Sequence, residues 1–287
     1  MEKLAIVGTF YDGYYDLWED FLELFEKNWP DCPYSLYIVN DEKDLQFSKN
    51  YNVKVFHSGK KAEYSQRVQT ALSEIDAEYY LLLLEDFFIG EKLDKHVLDK
   101  IMEFVINNNL DYYRMQLGEF TTFNKKGKVE HISPNAEYTV SCQPSIWKKE
   151  FLKKCIGTDV YNAWVFEGIY TKAPKAHTEE FLKGCYVDYR NVLCLYHGAL
   201  QGKFLNRTYD HFAKQGYSFR AKMPLMDKKA ELKHSVKKFF KFTIPVSLQR
   251  IIKKNRRTNS VVEKYNSEIN RLIKKMGLDR YEDCHEK

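Results

Sequence analysis

The sequence predicts an α/β fold in which a mostly parallel sheet is covered by helices on both faces. Three observations carry that reading. Short apolar runs alternate with amphipathic stretches through the first ninety residues, each run is bounded by turn-forming residues, and polar residues gather where the runs end.

The elements follow in order. Lys3 to Gly8 (KLAIVG) reads as a buried first strand, ending in the Gly- and Tyr-rich stretch Thr9 to Tyr15. A helix capped by Asp16 comes next, with Leu17, Phe21, Leu24 and Phe25 on one face. Tyr34 to Val39 is a second strand that stops at Asn40-Asp41, and Val53 to His57 a third. Ser65 caps a helix running through Ile75, whose apolar stripe is Val68, Ala71, Leu72 and Ile75. The strongest strand signal is Tyr79 to Leu84 (YYLLLL), followed at once by Glu85-Asp86. Beyond Gly90 the spacing predicts a helix over Leu93 to Asn107 and a strand over Tyr112 to Leu117. Phe120 to Tyr138 is polar and irregular, a hairpin turning at Lys126-Gly127. Thr139 to Trp147, a helix over Lys148 to Cys155, and a strand over Asp188 to Tyr196 ending at His197-Gly198 complete the pattern.

Composition bounds the class. The 287 residues are 44% hydrophobic and 30% charged, the balance of a chain that buries a core. Aromatic residues reach 15%, with 21 Tyr and 19 Phe, rings that suit core and sugar-stacking surfaces alike. The six cysteines contain no CxxC pair, which argues against a zinc knuckle or a disulfide scaffold and suits a reducing cytoplasm. No leader is expected from Met1-Glu2-Lys3, and no apolar run approaches the ~20 residues that cross a bilayer. The net charge of +5 is uneven: Arg220 to Arg257 holds 13 Lys and Arg against only Asp227 and Glu231. Interleaved with Phe239, Phe240, Phe242 and Ile244, that strip suits an anionic membrane surface. The acidic remainder and the lack of a recognition motif argue against nucleic acid.

In open parallel sheets ligands sit at the carboxyl ends of the strands. Thr9 to Asp12, Asn40-Asp41 and Glu85-Asp86 fall at three such ends and are expected to converge on one crevice. Two carboxylates emerging from a buried strand offer the oxygen ligands that a hard divalent ion on a diphosphate requires, with Asp86 the leading candidate. Acidic residues after strands also serve as helix caps, and that reading stays open beside the first.

The strand ending IVND, the helix opening SQRVQTAL and the strand LLLLED together resemble the nucleotide-sugar half of GT-A glycosyltransferases, a Rossmann-related fold. SCQPSIWKKEFL, NAWVFE and HGALQGK extend the resemblance, over about residues 1–220, to such enzymes of bacterial surface-polysaccharide (capsule, lipopolysaccharide, exopolysaccharide) synthesis. The resemblance implies a catalytic domain over 1–219, divided into a nucleotide-sugar half 1–117 and an acceptor half 118–219, with a basic helical region over 220–287. It implies a nucleotide-diphosphate sugar donor, UDP favoured, and a saccharide or lipid-linked acceptor at the cytoplasmic face of a membrane. By position, Thr9, Asp12, Asp41, Arg67, Glu85 and Asp86 would hold the donor, Asp41 by accepting from the base. Gln143, Trp147, Trp164 and Lys203 would line the acceptor pocket, with the reading of Trp147, Trp164 and Phe166 as ordinary core, Glu167 as a helix-start residue and Lys203 as a solvated side chain open beside it. Glu167 would be the base of an inverting transfer, with Asp159 in reserve, and Asp86 with His197 would hold Mn or Mg. The chain departs from the usual acidic triplet, since Leu84 stands where its first acid belongs, which puts metal dependence in question. The alternative is a non-catalytic, membrane-associated sugar-binding or scaffold module. The carboxyl-terminal helices could also pair two copies.

Overall fold

The computed structural model describes residues 1–47, 49–115, 127–233 and 264–279. The chain starts with β1 (Glu2–Thr9), α1 (Tyr15–Asn28), β2 (Leu36–Asn40), β3 (Lys54–His57), α2 (Tyr64–Glu74) and β4 (Ala77–Leu83). These four strands are parallel, in the order β3-β2-β1-β4, with Ile6 opposite Leu36 and Gly8 opposite Leu83. The short β5 (Phe87–Ile89) and α3 (Asp99–Asn107) lead to β6 (Tyr112–Met115) and β7 (Val129–His131). After β8 (Ser145–Lys148) come α4 (Lys149–Ile156), α5 (Ala163–Lys172), α6 (Glu179–Leu182) and β9 (Cys185–Asp188). The main sheet continues β4-β8-β6-β9-β7, with β8 and β7 antiparallel to their neighbours and the other six strands pointing one way. The mostly parallel sheet expected from the sequence is therefore present.

Alternate residues of each strand feed two cores. Leu4, Ile6, Tyr79, Leu81 and Tyr113 face α1 and α3, packing on Trp18, Phe21 and Ile101. Ala5, Val7, Tyr80, Leu82 and Tyr112 face α2, α4 and α5, packing on Val68, Leu152 and Phe166. Both sheet faces are buried, which explains why the inner strands read as continuous apolar runs.

Several boundaries differ from expectation. The first turn of α1 starts at Tyr15, placing Asp16 inside the helix and not at its cap. The cap of α2 is Glu63, in a reciprocal capping box with Gln66. Ser65 instead ties the helix to the Tyr161 backbone, its Oγ accepting from Tyr161 N–H at 2.9 Å. The expected helix from Leu93 becomes helical only at Asp99. The single strand expected over 188–196 is two, because Asn191 and Cys194 take positive φ and turn the chain out of the main sheet. There β10 (Leu195–His197) pairs with β5, and β11 (Ala199–Leu200) with β12 (Lys203–Phe204) forms a small hairpin before α7 (Asn206–Lys214).

Described residues beyond the boundary expected at 219 contact the part of the chain before it. The backbone N–H groups of Arg220 and Ala221 donate to the buried carboxylate of Asp20 on α1. Met226 N–H donates to Phe204 O. The final described helix, α8 (Asn266–Lys275), buries Ile269, Leu272 and Ile273 in the core that includes α5. Residues 234–263, most of the basic strip, lie outside the described residues, as does the turn expected at Lys126. No described helix is long and apolar enough to cross a membrane.

Candidate active site

The carboxyl ends of β1, β2, β4 and β6 open on one edge of the sheet. Because β8 runs the other way, the loop that enters it, Ser141 to Pro144, arrives at that same edge. The strand ends that carry Thr9, Asn40-Asp41 and Glu85-Asp86 and the loop that carries Gln143 thus share one edge of the sheet.

On the β1–β2 side, Asp12 is committed to the fold. One carboxylate oxygen accepts from Asn40 Nδ2 at 2.8 Å and Asp41 N at 3.2 Å, the other from Glu42 N at 3.1 Å and Lys43 N at 3.0 Å. Asp12 therefore shapes the loop after β2, and its carboxylate holds backbone where a nucleoside contact was expected. Asn40 completes the brace, its Oδ1 accepting from His57 Nδ1 at 3.0 Å. Asp41 and Arg67 form a buried ion pair at 2.7 Å. Burial pushes the Asp41 carboxyl above its ordinary value and the Arg67 charge opposes that. Arg67 Nη1 also donates to Ala62 O, and its guanidinium lies 5.6 Å from the centre of the exposed Tyr11 ring. Arg67 Nε is buried without a partner. Thr9 is spent on the sheet, its Oγ1 donating to Leu83 O at 3.4 Å.

At the end of β4, Glu85 accepts from Tyr11 N–H at 3.4 Å and is buried. Burial, with the adjacent Asp86 charge, raises its carboxyl to about 8, so at neutral pH it is largely protonated. Asp86 places Oδ2 3.1 Å from His197 Nε2, and its Oδ1 is buried without a partner. These two residues, expected to share a metal, are therefore together. The buried oxygen suits a single carboxylate ligand, and a Mg-type ion commonly takes one or two carboxylates plus substrate phosphates. Among the described residues no group of three or more His, Cys, Asp and Glu side chains is arranged to hold a metal without such help.

The acceptor side is built on α5. Its cap is Asn162, whose side chain accepts from Val165 N–H, and the helix carries Trp164 and Glu167. Glu167 accepts from Cys142 N–H at 3.1 Å. Burial raises its carboxyl, and the hydrogen bond and the charges of Arg114 and His197 pull it back. Gln143, beside Cys142, has a buried Oε1 without a partner. Trp164 is 47% exposed, as a sugar-stacking ring must be.

Trp147 corrects the sequence reading. It is 1% exposed and packs in the core against Tyr112, with ring centres 4.3 Å apart, because β8 turns it to the helix-covered face. It cannot line an acceptor pocket. Asp159 is corrected too: its carboxylate pairs with Lys275 and Arg271 of α8. Lys203 is exposed on the β11–β12 hairpin, whose Gly202 backbone reaches Tyr14. Two contributors went unrecognised in the sequence. Tyr11 looked like loop filling, although its place after the first strand could have marked it. Arg114 looked like a charge in a strand, and a lone Arg inside YYRM is itself the signal of a buried guanidinium at a strand end.

No family model and no curated protein matches the sequence. Among solved structures the chain is similar to TarS of S. aureus, at 13% identity over 84% of this chain and 44% of that one, with a TM-score of 0.46. A shorter TarS structure, residues 1–349, is similar at 14% identity over 65% and 58% of the two chains, with a TM-score of 0.38. A Methanothermobacter nucleotidyl transferase is similar at 11% identity over 75% and 99%, with a TM-score of 0.44. The chain spans about half the length of the TarS structures it matches. The α/β class stands on the chain's own strand order and register.

Proposed function

We propose that the protein is a GT-A-type glycosyltransferase that moves a sugar from a nucleotide-diphosphate donor, a UDP-sugar in the favoured case, to a saccharide acceptor. The observation that supports this reading is the Asp86–His197 pair together with a second, half-buried carboxylate, Glu167, anchored through Cys142 N–H in the loop that arrives at the same edge of the sheet. One set suits a departing diphosphate and the other an incoming hydroxyl.

The nucleoside would lie along the Tyr11, Asp41 and Arg67 side, where an exposed ring rests over a cation. A Mn or Mg ion arriving with the diphosphate would be held through Asp86 and His197 and would offset the leaving-group charge. Glu167 would take the proton from the acceptor hydroxyl as its oxygen bonds to the anomeric carbon and the bond from that carbon to the diphosphate breaks. A single displacement of this kind inverts the anomeric centre. Trp164 would give a face for the acceptor sugar, and Lys203 a cation at the rim. A lipid-linked acceptor would be met through residues 220–257 at an anionic membrane surface, in surface-polysaccharide synthesis on the cytoplasmic side. The second reading, a sugar-binding module without catalysis, is favoured by Leu84 in the place of the first acid.

Titration with UDP, GDP, CDP and ADP, with and without Mn, following the melting temperature of the wild type and of Asp86→Ala, tests the proposal. Stabilisation by one nucleotide, with its metal-dependent part lost in the variant, is the expected result. No stabilisation by any of the four would leave the binding-module reading in its place.

A further inference from the structure

We infer that Arg114, with Gln143 and Glu167, forms a subsite for a sugar that carries an oxyanion, either a carboxylate or a phosphate. The inference deepens the transferase reading and rests on it for the identity of the crevice. Arg114 lies two residues beyond Tyr112 on β6, so both side chains project from the face that α5 covers. It is 9% exposed. A guanidinium carries five N–H donors. Among the described residues that of Arg114 has one hydrogen-bond partner, Tyr138 O, which accepts from Nη1 at 2.9 Å. Nε is buried and unpartnered.

A buried cation in that state is costly unless something compensates it. Glu167 lies close enough for the Arg114 charge to lower its carboxyl, yet the two form no ion pair among the described residues. The Tyr138 contact uses one nitrogen. The edge formed by Nε and the second Nη is left, the fork whose spacing matches the two oxygens of a carboxylate or phosphate.

Ser145 pairs opposite Arg114 and Met115 N–H donates to Pro144 O, which brings the loop with Gln143 alongside β6. Gln143 Oε1 is buried without a partner, and among the described residues Glu167 receives a single N–H, from Cys142. Both suit hydroxyl donors. The loop carrying Cys142 and Gln143 is clipped to β6 and α5: Ser141 N–H donates to Tyr112 Oη at 3.3 Å, and Thr139 Oγ1 donates to Tyr170 O at 3.0 Å. A neutral sugar would satisfy the acceptors and leave the guanidinium bare. A sugar acid or sugar phosphate satisfies both. The sheet order places β6 two strands from β4, about 10 Å away, so this cation serves the sugar end of the crevice and not the diphosphate.

The oxyanion could belong to the donor sugar or to the acceptor, and the test separates them. Calorimetric titration of the full chain would compare UDP-glucuronate with UDP-glucose, and, with UDP present, glucuronate and glucose 6-phosphate with glucose. The wild type is expected to prefer the anionic member of at least one pair by roughly tenfold or more, the value of one charge-assisted contact. Arg114→Gln should erase that preference and leave UDP affinity unchanged. Arg114→Lys, which keeps the charge and loses the fork, should retain part of it. Glu167→Gln should keep the preference already present in the wild type, whereas a guanidinium serving only as counter-ion to Glu167 would show a preference in that variant alone. Equal affinity for anionic and neutral sugars in the wild type overturns the inference while UDP binding upholds the transferase reading. Failure of UDP to bind overturns that reading, and the comparison of free sugars still decides for or against the oxyanion site.

Discussion

His197 Nε2 lies 3.1 Å from Asp86 Oδ2, and the neighbouring backbone repeats the tie, Gly198 N–H donating to Asp86 O at 2.6 Å. The end of β4 and the end of β10 are thus coupled twice, and the Phe87 ring, 5.5 Å from the imidazole, backs the contact. Substituting either partner should therefore affect the same step. His197→Ala and Asp86→Asn are each expected to remove the Mn-dependent part of stabilisation by UDP and to lower turnover about 100-fold or more. Melting curves with and without Mn check this. A full metal-dependent shift in His197→Ala would reduce the imidazole to a structural partner of Asp86.

Glu167→Gln should lower kcat by about 10²- to 10⁴-fold, the range for loss of a general base, with the Kd for UDP unchanged. The pH dependence follows from burial. A carboxyl whose proton is held to higher pH acts as a base only after losing it, so kcat should fall as pH drops through the raised value. The acidic limb should lie above the ordinary carboxylate range. Steady-state rates from pH 4 to 9 measure it, and a limb at an unshifted carboxylate value would point to a different base.

Asp12→Ala leaves the N–H groups of Asp41, Glu42 and Lys43 and the Asn40 amide without their acceptor. A loss of about 1–3 kcal/mol of stability is expected, with weaker nucleotide binding because the loop beside Asp41 loosens. Asp12→Asn keeps one acceptor oxygen and should lose less. Urea unfolding and UDP titration of both variants test the ranking. Equal stability of Asp12→Ala and the wild type would mean that water replaces the carboxylate freely.

The fold was legible where burial repeats along the chain. KLAIVG, YSLYIV and YYLLLL are apolar on both faces because helices cover both, and such runs identify strands without help from distant sequence. The acidic pair was legible for the same reason, since Glu85-Asp86 follows the most apolar strand and must emerge at its end. Antiparallel β8 was harder. Whether Trp147 faces the crevice or the core depends on strand direction and register against Tyr80 and Tyr112, which local pattern does not encode. Asp12 and Asp159 misled for another reason. A carboxylate in a loop reads alike whether it meets a ligand, a row of backbone N–H groups or lysines arriving from a helix more than a hundred residues away. Arg114 was invisible as a site residue because its meaning lies in what it lacks, which only the packed structure displays.

Asp159 gives a pH-dependent hold on the carboxyl-terminal helix. Its carboxylate accepts from Lys275 Nζ at 2.9 Å and lies 3.5 Å from Arg271, while Ile269 of the same helix rests against Gly168 of α5. The hydrogen bond from Lys275, opposed by burial, holds the Asp159 carboxyl below its ordinary value. A carboxyl depressed in the folded state adds stability above its unfolded value of about 3.9 and loses it as pH falls through the lower, folded value. Both cationic partners are more than half exposed, so about 0.5–1 kcal/mol is at stake and salt should screen it. Asp159→Asn is therefore expected to unfold more easily than the wild type at pH 7 in low salt, to approach it at 1 M salt, and to approach it also as pH falls through the depressed folded value of Asp159. Denaturant midpoints at pH 7 and below that value measure the difference. A gap that persists in acid would assign the role of Asp159 to packing, with Ile269, Leu272 and Ile273 then holding α8 in place by apolar burial alone.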